Sequence, residues 1–393
     1  MSRSAIVGSG RLLPMTGART GETEVMAGPW VVVIEDGTIA AVRGGGLRRG
    51  DPDAVEDVGA ALSTPGLVDP HTHLIFAGDR APEAAARSRG EPYSGGGILR
   101  TVRATAEASD EELVAMTRAR MRVAAAGGTT TLEVKSGYGL EAAQELRLLR
   151  LIDAAAAPLP LRVVRTYLGA HAVPEGSTPR RQADAVMAAL PDVTPLAAAI
   201  DVFCEPALFD LQLTREILSA GQRHGLALRL HADQLQRSGA ALLGIQLGAR
   251  SVDHLEQASS DDARALGRSQ TVATILPGPA LLLGAGLPPV RALVEAGACV
   301  AIGSDANAGT FGVPSMPLTI GLAVALGFSV DEAIWAASAG AARSLGLTGQ
   351  VGVLRPGAAA DLVAWDTEHE GDFALRVGAV APLARWFAGQ ATT

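Results

Sequence analysis

Cysteine is nearly absent from this chain. Cys204 and Cys299 are the only two in 393 residues, and they form no short-spaced pair. That leaves no disulfide framework and fits a reducing compartment. Charge is also scarce: charged residues make up 19% of the chain and aromatics 4%, against 48% hydrophobic residues. Such a composition buries a large core and excludes a disordered chain. No basic surplus exists, because 33 Lys and Arg face 41 Asp and Glu for a net charge of -8. A nucleic-acid surface needs clustered cations to neutralise phosphates, so that partner is not expected. An anionic small molecule stays open, since one buried Arg binds a carboxylate whatever the net charge. Long apolar runs are missing too. Met1 to Gly17 lacks a basic head followed by an apolar stretch, so no signal peptide is expected. Met316 to Phe328 is too short and contains too much glycine to span a bilayer. The reading is a soluble, cytoplasmic protein without a membrane partner.

What is present alternates between strand and helix signals. Trp30-Val31-Val32-Val33-Ile34-Glu35, Asp36-Gly37 and Thr38-Ile39-Ala40-Ala41-Val42 read as a hairpin around a two-residue turn. Near the other end, Pro356-Gly357 makes a turn before a short strand at Asp361-Leu362-Val363-Ala364-Trp365. Neither end holds enough strands for a stable sheet, so the two ends should meet in one small β domain. Between them, apolar runs occur at 66–69, 130–134, 161–168, 200–203, 226–230, 251–253, 271–276 and 299–302, with helical stretches separating most of them. One helix should begin at Ser109, with Glu112 completing a capping box. Leu113, Met116, Met121 and Val123 would lie on roughly one face, and Gly127-Gly128 would end the helix. Eight strands alternating with helices predict an α/β chain with a (β/α)8 barrel over 63–344. Residues 1–62 and 345–393 would form a composite β-sandwich. An open doubly wound sheet is the alternative.

The polar residues decide between them, because they recur where the apolar runs stop. His71 and His73 follow Gly66-Leu67-Val68-Asp69-Pro70. His171 follows Leu168-Gly169-Ala170, His231 follows Leu228-Arg229-Leu230, His254 follows Ser251-Val252-Asp253, and Asp305 follows Ala301-Ile302-Gly303-Ser304. Five of the seven histidines sit at such ends. In a barrel all strand C-termini converge on one face, which carries the active site. An extended His71-Thr72-His73 points both imidazoles the same way. With strand-end His231 and Asp305 they can complete a nitrogen and oxygen metal site. A structural zinc site would favour cysteine, and neither accompanies these ligands. His224 and His369 fall in helix or loop patterns and read as surface residues.

The Gly66–His73 segment with the later strand-end residues resembles the amidohydrolase superfamily. Further segments resemble the imidazolonepropionase family within it. They are Phe76-Ala77-Gly78-Asp79-Arg80, Gly95-Gly96-Gly97-Ile98, Thr101-Val102-Arg103-Ala104-Thr105, and Glu133-Val134-Lys135-Ser136-Gly137-Tyr138-Gly139-Leu140. Leu168-Gly169-Ala170-His171-Ala172-Val173-Pro174, His231-Ala232-Asp233-Gln234 and Gly303-Ser304-Asp305-Ala306-Asn307-Ala308-Gly309-Thr310 continue the series, which covers nearly the whole chain. The resemblance implies hydrolysis of 4-imidazolone-5-propanoate to N-formimidoyl-L-glutamate in histidine degradation. It also implies one Zn²⁺ or Fe²⁺ per chain on His71, His73, His231 and Asp305.

A substrate of that kind carries a propionate and needs a fixed cation, for which Arg80 is the candidate. Tyr138 could bond the same carboxylate, and Tyr93 shares a long loop, 74–108, with Arg80. That loop reads as a lid with Gly95-Gly96-Gly97 as its hinge. His171 would contact the ring, and Asn307, Gly309 and Thr310 the amino-acid portion. His254 and Asp305 are the candidates for proton transfer. Some related enzymes carry Glu at the position of Gln234. An amide cannot take up a proton, so Gln234 would hydrogen-bond the ring instead. Lys135 receives no role. A homodimer is the base-rate expectation. A ring aminohydrolase and a non-catalytic scaffold on the same fold are the competing readings.

Overall fold

The computed structural model describes residues 3–90 and 97–392. Eight parallel strands form one sheet: β1 (Leu67–Asp69), β2 (Thr129–Lys135), β3 (Arg162–Ala170), β4 (Ala199–Cys204), β5 (Ala227–Ala232), β6 (Ser251–His254), β7 (Val272–Ile275) and β8 (Val300–Ile302). They lie at the eight expected runs, and each pairs with its sequence neighbour. The first and last strands meet just beyond their ends, through a parallel bridge between Thr72 and Ala306. There the N–H of Asp305 donates to the carbonyl of His71 at 3.0 Å, and the N–H of His73 donates to Ala306 at 2.9 Å. The barrel alternative therefore holds over the open sheet. Most strand residues are buried, because helices cover the outside of the sheet.

The segment at 74–108, expected as a loop, contains two helices, α1 (Ala81–Arg87) and α2 (Gly97–Glu107). Pro82 in the first turn of α1 suits a helix start, because its missing N–H would have had no intrahelical partner. Gly97 opens α2, and a Cβ there would lie 2.3 Å from Arg80 Nη2. Tyr93, Gly95 and Gly96 lie outside the described residues. The helix α3 (Asp110–Ala126) has the expected capping box between Ser109 and Glu112. Leu113 and Met121 are buried and Met116 packs against the core, but Val123 is 51% exposed. The reason is rotational: two residues beyond Met121 is about 200° around the helix, the far side of the apolar face.

Of two small sheets, the larger takes strands from both chain ends and the smaller from the first end alone. Arg3–Gly8, Trp30–Glu35, Thr38–Gly44 and Val55–Asp57 form one of four strands. Arg11–Leu12, Met26–Ala27, Ser63–Pro65, Leu362–Trp365, Pro382–Phe387 and Gln390–Thr392 form one of six. The hairpin turn takes φ 47° at Asp36 and 79° at Gly37, the pair of positive angles that a type I′ turn requires. Ile6, Trp30 and Ile34 from the first end pack with Leu354, Leu362 and Trp386 from the second in one core. The chain passes from this β region into the barrel at Gly66. No helix among the described residues is long and apolar enough to cross a membrane.

Replacing Ser109 with Ala should lower stability by about 1 kcal/mol, because the helix loses the side-chain acceptor for the Glu112 N–H. Urea unfolding should show a lower midpoint at unchanged slope.

Candidate metal and substrate site

Barrel closure brings four expected donors together at the C-terminal ends of the strands. His71 Nε2 lies 3.3 Å from His73 Nε2. His73 Nε2 lies 3.4 Å from His231 Nε2. Asp305 Oδ1 lies 3.5 Å from His71 Nε2 and 3.4 Å from His73 Nε2. All four residues are buried. A tetrahedral site with metal–ligand bonds near 2.1 Å has donor–donor edges of roughly 3.4 Å, so this set fits a divalent ion. A cation among these atoms would satisfy all four donors at once.

The outer nitrogens explain the orientation of two rings. His71 Nδ1 donates to Asp253 Oδ2 at 2.7 Å, and His231 Nδ1 donates to Asp201 Oδ1 at 3.1 Å. A proton on Nδ1 leaves the Nε2 lone pair for the centre. Burial pushes His71 well below the usual imidazole pKa, with Lys135 and the other imidazoles acting the same way. Burial also lowers His231, against the pull of Asp201. Both contacts are therefore hydrogen bonds from neutral imidazole rather than ion pairs. Asp305 is held below the usual carboxylate range: burial opposes ionisation, but the hydrogen bond and charge of His73 outweigh it. Neutral rings at His71 and His231 beside an ionised Asp305 are the forms that coordinate metal.

His254 differs from the other rings. Burial disfavours its charge, yet Glu256, Asp305 and Asp253 raise its pKa above the ordinary value. Its Nδ1 donates to Glu256 Oε1 at 3.2 Å. A polar atom of His254 lies within 4.8 Å of those of His71 and Asp305. The backbone is unusual here: Asp233, His254, Leu255 and Asp305 all have positive φ. Such conformations cost about 1–3 kcal/mol each and gather at functional sites.

The cavity above the donors is lined by His73, His171, His231, His254 and Asp305 on its floor. Arg80, Tyr138, Gln234, Asn307 and Thr310 also line it, with Ile98 of α2 and Phe203 of β4. His171 stacks on His73 with ring centroids 5.1 Å apart and donates through Nδ1 to Gly137 O at 2.8 Å. Arg80 is only 3% exposed, and its Nε and Nη2 donate to Glu83 Oε2 at 2.9 and 2.8 Å. Gly309 is not at the cavity wall. It lies against Arg80, where a Cβ would meet Nη1 at 2.2 Å, so glycine here makes room for the guanidinium. Both ends of the Asn307 amide serve its own loop: Nδ2 donates to Asp305 O and Thr310 Oγ1, both at 2.6 Å. Oδ1 accepts from the N–H groups of Gly309 and Thr310.

Several supporting residues were not anticipated. Asp201, Glu133 and Lys135 sit inside apolar strand runs, and a charged residue in such a run is the signal that could have found them. Glu145, on the helix Ala142–Ala156, has no sequence signal. It accepts the N–H of Gly137 at 2.9 Å and those of Gly139 and Leu140 at 2.7 Å, and so shapes the loop that carries Tyr138. Asp233 caps the helix Ala240–Leu247, accepting from Ser238, Gly239 and Ala241.

A parallel barrel with this donor cluster at its C-terminal face defines an amidohydrolase. Residues 211–390 match the amidohydrolase family model. The imidazolonepropionase of Rubrobacter xylanophilus is 48% identical over 90% of this chain and 88% of its own length. That of Deinococcus deserti is 43% identical over 91% and 90%. The chain belongs to the imidazolonepropionase family of amidohydrolases. Solved structures share the fold at much lower identity. A zinc-bound adenosine deaminase from Xanthomonas campestris superposes with a TM-score of 0.75 at 19% identity, covering 99% of this chain and 92% of the other. A 5-methylcytosine deaminase from Klebsiella pneumoniae gives 0.77 at 15% over 99% and 98%.

Replacing Glu145 with Ala removes the partner of three backbone donors at once. Stability should fall by about 3 kcal/mol or more. Because the same loop carries Tyr138 and the carbonyl that holds His171, kcat/KM should fall even at temperatures where the fold survives; parent-like kcat/KM would separate this loop from the site.

Proposed function

We propose that the protein hydrolyses the cyclic amide of 4-imidazolone-5-propanoate to N-formimidoyl-L-glutamate, in histidine degradation. The observation that carries this reading is the convergence of His71, His73, His231 and Asp305 in a chain 48% identical to an imidazolonepropionase over most of both lengths. One Zn²⁺ or Fe²⁺ per chain is the cofactor, since three imidazoles and a carboxylate accept either. When bound, the ion supplies Lewis acidity and an activated water near neutral pH.

The chain's own residues do the rest. Asp305 and His254 stand beside the reacting carbonyl and carry the proton from water to the departing ring nitrogen. The partnership of His254 with Glu256 favours a charged ring, which also suits it to steady a developing oxyanion. Gln234 is 6% exposed and lines the cavity. Its amide cannot accept a proton, so it bonds the ring and sets its orientation. His171 faces the ring beside the donors. Arg80, buried at the cavity wall and steadied by Glu83, binds the propionate, with Tyr138 beside it. A carboxylate anchor on the cavity wall distinguishes this substrate from a plain nucleobase. The likeness to deaminases is one of fold, and release of ammonia from ring amines is not expected. A cytoplasmic homodimer completes the proposal.

Loss of the ultraviolet absorbance of 4-imidazolone-5-propanoate should follow addition of the purified protein. Chelation should abolish it, and Zn²⁺ or Fe²⁺ should restore it. Absence of turnover by the fully metallated chain overturns the substrate assignment. Arg80→Ala should raise KM by about 100-fold, the loss of one charge-assisted pair worth roughly 3 kcal/mol, with metal content unchanged. Equal loss of metal would remove Arg80 from the carboxylate role.

A further inference from the structure

Beneath the imidazole cluster the barrel interior is charged. Glu133 and Lys135 from β2, Asp201 from β4, Arg229 from β5 and Asp253 from β6 are all at most 1% exposed. Lys135 Nζ lies 2.8 Å from Asp201 Oδ2 and 2.8 Å from Glu133 Oε1. The other oxygen of Asp201 accepts from His231 Nδ1 at 3.1 Å. Arg229 Nη2 donates to Asp253 Oδ2 at 3.0 Å, the same oxygen that accepts from His71 Nδ1 at 2.7 Å. Glu133 joins the two halves. Its Oε1 lies 3.9 Å from Arg229 Nε, and its Oε2 accepts the N–H of Thr72, between the two histidines that follow β1, at 3.1 Å. The contacts run as a circuit from His231 round to His71 below the donor centre.

Stability does not account for this circuit. Each buried ion costs several kcal/mol in lost hydration, and apolar side chains of the same volume often hold a core as well or better. What apolar side chains could not do is aim two imidazoles. An aspartate carboxylate turns easily about its side-chain bond, so one held by the imidazole alone is free to swing. The ring it faces then loses the acceptor that fixes its tautomer and its angle. A cation bound to each carboxylate prevents this. Arg229 serves Asp253, and Lys135 serves Asp201.

We propose that Lys135 is a positioning residue of the metal centre: its ammonium fixes the Asp201 carboxylate in place against His231, and so aims His231 Nε2 at the point shared with His71, His73 and Asp305. The inference rests on the metal reading above. Lys135 is not a ligand in this role, because its ammonium is already bracketed by two carboxylates.

The sign of one substitution separates positioning from simple charge attraction. Lys135→Met removes a buried cation and leaves the interior more negative. Coulomb attraction alone would then bind a dication more tightly, whereas loss of aim weakens binding. Chelator competition with Zn²⁺ on the metal-free chain should show affinity reduced by about 10–100-fold relative to the parent, the range typical of lost outer-shell partners. The visible bands of the Co²⁺-substituted protein should change shape as well. Affinity equal to the parent's, or tighter, overturns the proposal. A parent that binds no Zn²⁺ defeats the metal reading and this inference with it, and so is distinct from a parent-like variant. If Lys135→Met does not fold, the pair Lys135→Gln and Glu133→Gln preserves the net interior charge while still removing the ammonium from Asp201. The same 10-fold or greater loss is expected there, and parent-like affinity again overturns the assignment.

Discussion

The seam between the first and last barrel strands is the constraint on which the rest depends. Two backbone hydrogen bonds cross it, from Asp305 to His71 and from His73 to Ala306. They join the first strand to the eighth and they set the spacing of three metal-site residues in the same act. Ladder geometry fixes backbone separations to a few tenths of an ångström. Side chains that leave the two strands at this rung therefore start close together. His231 arrives from β5, and the buried carboxylates below aim it and His71.

Burial then sorts the titratable groups by task. The enclosed rings of His71, His171 and His231 are pushed toward the neutral form, because low dielectric penalises an isolated cation. His254 is as enclosed, but three carboxylates surround it and favour its charge. One cavity thus holds imidazoles suited to ligation beside one suited to proton transfer and oxyanion support. The left-handed backbone at His254 and Asp305 belongs to the same arrangement, turning each side chain inward where the strand ends.

The deaminases of known structure share this barrel at 15–19% identity, while the imidazolonepropionase of Rubrobacter xylanophilus is 48% identical over 90% of this chain. The proposed carboxylate anchor lies outside the barrel strands. Arg80 is carried just ahead of α1, wedged between Gly97 and Gly309, and braced by Glu83. Gly309 shows how little of this can be read locally. Its place in the loop after Asp305 made it a candidate substrate contact, and its lack of a side chain also leaves room for the guanidinium.

The sequence by itself determined the eight strands, the capped helix at Ser109, the Asp36-Gly37 turn and the set of donors at the strand ends. Each of these follows from local physics: side-chain period, capping chemistry, positive φ at a tight turn, and polar residues stopping apolar runs. Tertiary structure alone decided that α1 and α2 occupy the apparent loop, that Val123 faces water, and that Glu145 holds the loop of Tyr138. It also decided that Lys135 and Arg229 lie beneath the metal site. These outcomes depend on contacts between residues far apart in the chain, Lys135 with Asp201 and Arg229 with Asp253 and Ser344 among them. A charged side chain in an apolar strand announces that it will be buried, but its partner arrives on another strand, and only the closed barrel says which.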